Sequence, residues 1–153
     1  MYQHLNIYIS SVRTVKLHTW WVVTQKVPQI YNQVTAIMAI MMGGQPRAMQ
    51  RNFDKKPCNI CDARLADNPL HILFDCTALC NIRCEKIQRL HATMPIPMLT
   101  CFEAMTRIEK LSFLLSPLHC GYVAEWRQVY EAIASMVFSL YTTRAKLYDA
   151  LSN

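Results

Sequence analysis

Two cysteines separated by two residues, Cys58 and Cys61, are followed by His71 and then Cys76, in the spacing C-x2-C-x9-H-x4-C. No other feature restricts the fold of this chain as much. A C-x2-C turn aims two thiolates at one point, and a second pair about ten residues on can close a tetrahedron around a soft or borderline ion. Three sulfurs and one imidazole saturate zinc, so the expected cofactor is a structural Zn with no position left for a reacting water. The segment around these residues, 52–77, is polar and turn-rich. Metal binding would supply folding energy that the local sequence lacks.

The fourth ligand has rivals. Cys76, Cys80 and Cys84 are spaced by four and share one face if helical, so Cys80 can stand in for Cys76, as can His91 from the next turns. Cys76 is favoured because Leu79, Cys80 and Ile82 fit a buried stripe, where a thiol acts as a small hydrophobe. A thioredoxin-like redox pair is disfavoured, since no βαβ pattern surrounds the C-x2-C.

The flanks read as helices. Residues 2–25 are rich in β-branched and aromatic types, with a period that leans towards helix. Ile30, Val34, Ile37, Met38, Met41 and Met42 recur at helical spacing, and Gly43-Gly44 stops the run. Asn68-Pro69 has the form of an N-cap followed by a first-turn proline, so a helix is expected near Leu70. A further helix is expected over 78–91, ended by Pro95 and Pro97. Phe102, Met105, Ile108, Leu111, Leu114 and Leu115 form one stripe, closed by Pro117. A stronger one runs from Trp126 through Val129, Tyr130, Ile133, Met136, Val137, Leu140 and Tyr141 towards Leu147 or Leu151. The expected fold is mainly α: a helical body with an inserted zinc-stabilised CCHC knuckle and little or no sheet. Three segments are expected, 1–50 helical, 51–92 holding the CCHC site and its following helix, and 93–153 helical, packed as one unit.

Charge is uneven. The net charge is +6, yet residues 1–53 carry five bases and no acid, whereas eleven bases face ten acids beyond them. Such asymmetry favours a polyanion, nucleic acid before membrane. Arg47, Arg51, Lys55, Lys56, Arg64 and Arg83 cluster around the proposed ion in sequence and are the candidate phosphate contacts; Lys86 and Arg89 lie further on. Phe53 is the nearest aromatic for base stacking. The seven cysteines are odd in number, and Arg13 and Lys16 interrupt the first twenty residues, so no secretory leader is visible. Reduced thiols in an intracellular protein, nuclear or cytoplasmic, are expected. The longest apolar run, Ala36 to Met42, falls far short of the roughly 20 residues of a membrane span.

Pro57-Cys58-Asn59-Ile60-Cys61, then His71-Ile72-Leu73-Phe74-Asp75-Cys76, then Ile82-Arg83, resembles the CCHC segment that follows the reverse transcriptase domain in non-LTR (LINE-type) retrotransposon polyproteins. Met41-Met42-Gly43-Gly44-Gln45 and Asn52-Phe53 are similar to that family's lead-in. The match covers about residues 41–84. In the family an acidic residue often precedes the histidine, a place held here by Asp67, and a late Trp and Arg follow, places that Trp126 and Arg144 can fill. The resemblance implies a C-terminal zinc-knuckle module that helps hold template RNA or target DNA, with the rest of a reverse transcriptase polyprotein as a possible partner.

Catalysis is not expected. A polymerase palm needs paired aspartates to hold two metals, and the acids here are scattered. Glu103, Glu109, Glu125 and Glu131 fall on predicted helix surfaces, and there is no Gly-rich phosphate loop. The competing expectation is a helical interaction or structural domain in which zinc only braces a loop.

Overall fold

The computed structural model describes residues 19–41, 57–117 and 123–152. It is mainly α. Helix α1 spans Thr19–Lys26, and a short 3-10 turn, Pro28–Ile30, leads into α2, Tyr31–Met41. The CCHC segment comes next, then α3 (Cys80–Thr93), α4 (Ile96–Ala104), α5 (Arg107–Leu115) and the long α6 (Arg127–Ser152). Among the described residues, extended pairing is confined to an isolated antiparallel bridge between Pro57 and Ala66. The first part of the helix expected over 2–25, and the Gly43-Gly44 stop, lie outside the described residues.

Helix α6 organises the rest. Val129, Tyr130, Ile133, Ala134, Met136, Val137, Leu140 and Tyr141 are all buried, at the three- and four-residue spacing that puts them on one face. That face packs on α3 and α2, and its later turns pack on the CCHC segment. Each fully enclosed aliphatic side chain contributes about 1.5–3 kcal/mol, so this stripe holds the molecule together. From the other side, α2 buries Val34, Ile37, Met38 and Ile40. Trp20 is fully enclosed, donates its indole N–H to the Leu115 carbonyl at 2.8 Å and meets Tyr130 edge-on. Buried residues from all three expected segments thus form one cluster.

Helix α3 ends before Pro95, at an extended Met94 with ψ 131°, because a residue preceding proline is driven out of the helical region. Pro97 then sits in the first turn of α4, where a missing N–H costs nothing. The stripe from Phe102 to Leu115, expected as one helix, is two. Met105 and Thr106 are extended, with ψ 144° and 164°. The break is specified by a capping box: Thr106 Oγ1 accepts from the Glu109 N–H at 3.3 Å, and Glu109 accepts from the Thr106 N–H at 2.7 Å. These hydrogen bonds hold the Glu109 carboxyl below its usual range, so their contribution is present above the ordinary glutamate pKa and disappears as pH falls through the depressed one. Thr106→Ala is expected to destabilise the fold by about 1 kcal/mol, visible as a drop of roughly 2–4 °C in Tm. An unchanged Tm would mean that the cap does not hold α5.

Candidate metal centre

The knuckle begins with a tight loop. Cys58 N–H donates to the Leu65 carbonyl at 2.8 Å, beside the Pro57–Ala66 bridge, so the chain turns back on itself over seven residues. Arg64 closes this turn with φ 51°, a left-handed conformation that disfavours a residue with a Cβ. The backbone N–H groups of Ile60, Ala63 and Ala78 favour the thiolates of Cys58, Cys61 and Cys76 respectively. Each donor lies two residues beyond its sulfur, so the loop backbone directs partial positive charge at all three thiols.

The second half of the site is set by an unusual turn. Asn68 caps it as expected, its Oδ1 accepting the His71 N–H at 2.9 Å. Residues His71–Asp75 then form a single π turn, closed by Cys76 N–H donating to the His71 carbonyl at 2.7 Å. In an α-helix, residues five apart point about 140° away from each other. The wider turn returns the chain so that His71 and Cys76 converge.

All four side chains meet. The ligand atoms of Cys58, Cys61, His71 and Cys76 lie within 4.8 Å of one another, and Cys61 Sγ is 3.4 Å from His71 Nε2. A zinc tetrahedron has edges of about 3.6–3.8 Å between such ligand atoms, so a small contraction would close it. Nε2 is the nitrogen that faces the sulfurs. Nδ1 is buried without a hydrogen-bond partner. Cys58, His71 and Cys76 are buried and Cys61 is half-buried, as suits a closed structural site rather than an open one.

Electrostatics separates the four. Burial pushes the Cys76 thiol up to about 12 and raises Cys58 as well. For Cys61 burial acts in the same direction, but the Ala63 N–H and hydrogen bonds from its neighbouring thiols prevail and lower it. Burial also lowers His71, against the pull of Asp67 and Asp75, which favours the neutral imidazole a metal needs.

The rivals for the fourth position are elsewhere. Cys80 and Cys84 are exposed, and His91 stacks edge-on against Phe102 at 5.9 Å. The favoured ligand, Cys76, is at the centre, and Cys80, expected in a buried stripe, is exposed instead. A 3-10 turn over Thr77–Leu79 precedes α3 and turns Leu79 inward and Cys80 outward. Cys80→Ser is therefore expected to leave metal content unchanged, as checked by metal analysis of the purified variant.

The candidate phosphate contacts divide. Arg64 is exposed at the knuckle turn. Arg83 is not on an open face: it is buried, with Nη2 donating 2.9 Å to the Cys76 carbonyl, which corrects its role from surface to interior. Arg47, Arg51, Lys55 and Lys56, together with Phe53, lie outside the described residues. Further along, Lys86 reaches Ser135 Oγ at 3.3 Å, while Arg89 is exposed beside Glu85.

One buried ion pair was not apparent from spacing. Arg144, fully enclosed on α6, forms two hydrogen bonds and an ion pair with Asp67 in the loop between the two ligand pairs. Arg144 also lies over the Tyr148 ring at 5.2 Å. Burial, with Asp67 nearby, pushes the Tyr141 hydroxyl up, so it stays protonated. No protein-family model matches the chain, and no curated protein or solved structure matches it either.

Proposed function

We propose that this chain is a non-catalytic zinc-binding module, similar to the C-terminal CCHC region of non-LTR retrotransposon reverse transcriptases, that binds RNA or DNA through basic residues around a structural zinc. The reading is carried by the convergence of Cys58, Cys61, His71 and Cys76 on one point. That ligand set leaves no open coordination position, so the ion braces the loop and performs no chemistry.

The nucleic-acid part of the reading is supported by charge. The net charge is +6, and the first 53 residues carry bases without acids. Arg64 stands exposed at the knuckle turn, placed by the same loop that would hold the ion. An open groove of about 670 Å³ at α1, the adjoining 3-10 turn and the start of α2 is lined by Trp21, Thr24, Gln25, Pro28 and Tyr31, with Tyr31 exposed. Aromatic faces of this kind stack on unpaired bases. Among the described residues, no helix is long and apolar enough to cross a membrane.

Binding to single-stranded RNA, followed by fluorescence anisotropy, is expected to weaken steeply with added salt, with a log–log slope of about −0.7 per neutralised phosphate. No detectable binding at low salt would reject the nucleic-acid reading. The second reading, a zinc-braced protein-interaction domain, is favoured by the apolar side chains that α4 and α5 leave in water, Ile96 at 81% exposure and Ile108 at 50%. It predicts binding that is insensitive to salt.

A further inference from the structure

Arg83 presents a charge problem. Its side chain is buried, 8% exposed. Nη2 is held by one neutral carbonyl, that of Cys76 at 2.9 Å, and Nη1 is buried without a hydrogen-bond partner. Among the described residues, no carboxylate forms an ion pair with it. An interior guanidinium left in this way is strongly destabilising. Arg144 shows the contrast, because its buried charge meets Asp67.

The missing anion is supplied by the candidate metal centre. A divalent ion, three thiolates and one neutral imidazole sum to a net charge of −1. The carbonyl that Arg83 grips belongs to Cys76, itself one of the four converging side chains. We propose that Arg83 is the resident counter-cation of the loaded metal centre: it neutralises the centre's net negative charge while fixing the Cys76 backbone. The proposal rests on the metal reading of Cys58, Cys61, His71 and Cys76. With a divalent ion in place the interior balances, Arg144 against Asp67 and Arg83 against the centre. A set with two thiolates would leave Arg83 unmatched, and a set with four would carry one negative charge more than Arg83 can offset. The local charges therefore select three thiolates and a divalent ion. Arg83 is a positioning residue, since it touches a ligand's backbone and not the ion.

The test measures zinc affinity by chelator competition on the full chain and on two variants. Arg83→Gln retains a donor for the Cys76 carbonyl but no charge; Arg83→Lys retains the charge. Arg83→Gln is expected to bind zinc about 10–100-fold more weakly than the unaltered chain, and Arg83→Lys to recover most of the loss. A merely structural hydrogen bond would give the opposite order. Equal affinity in all three would overturn the counter-charge while leaving the metal centre standing, as would Arg83→Lys as weak as Arg83→Gln. Failure of the unaltered chain to take up zinc would overturn both. If Arg83→Gln does not fold in excess zinc, the guanidinium N–H resonances of the unaltered chain decide. A shift with slowed solvent exchange on zinc addition supports the proposal, and resonances that do not respond overturn it.

Discussion

Cys76→Ser should abolish stoichiometric zinc binding and melt the CCHC segment, with a loss of stability larger than any single apolar truncation in the helical body. The unaltered chain should hold one zinc per molecule. The reason for the size of the effect is the poverty of the segment's own core: from Asn59 to Ala66 every side chain is exposed or only half-buried. Little but the ion can hold the loop, and structural zinc contributes about 10–16 kcal/mol in peptides of comparable ligation. Cys58→Ser and His71→Ala should behave alike. A chelator should do to the unaltered chain what the substitution does to the variant. The ligand assignment fails if Cys80→Ser strips the metal while Cys76→Ser retains it. Zinc binding also has a definite pH sign. Burial raises Cys76 from the ordinary 9.0 to about 12, so the metal-free fold favours the protonated thiol. That contribution is present below pH 9 and lost as pH climbs towards 12. Zinc reverses the dependence: it must displace the thiol protons, and its affinity should fall as pH drops.

Asp67→Ala should rank second, with a loss of about 3–5 kcal/mol, the range seen when one member of a buried ion pair is removed. Arg144 is fully enclosed, whereas the Asp67 side chain keeps 15% exposure. Removing the aspartate therefore strands a charge that water cannot reach, and removing the arginine strands one that it can partly reach. Asp67→Ala is accordingly expected to cost more than Arg144→Met, and the double variant less than the sum of the two. Urea unfolding of the three zinc-loaded variants provides the comparison. Additive losses would show that the two side chains do not depend on one another.

The convergence of Cys58, Cys61, His71 and Cys76 was legible in the sequence because coordination chemistry fixes both the residue types and the short spacings of a candidate site. The Asn68-Pro69 cap was legible for a similar reason, since one side chain satisfies a donor three residues away. The helix break at Met105–Thr106 carried a signal that periodicity hid: the apolar spacing continued across it, while Thr106-x-x-Glu109 announced a new start. An uninterrupted helix from residue 78 would bury Cys80, but the 3-10 turn at Thr77–Leu79 rotates the helix that begins at Cys80 and leaves that thiol exposed. Arg83 and Arg144 hold places in the family resemblance, but nothing local in the sequence marked them as buried. A basic residue near a metal loop reads as surface charge until the fold encloses it, and enclosure depends on contacts as distant as the 77 residues between Asp67 and Arg144.

That separation also orders events on the ribosome. Synthesis runs from the amino end at about 5–20 residues per second, so Arg144 is added roughly 4–15 s after Asp67. During that interval the nascent knuckle lacks its anchor, and any ion supplied co-translationally would meet a loop not yet fastened to its helix.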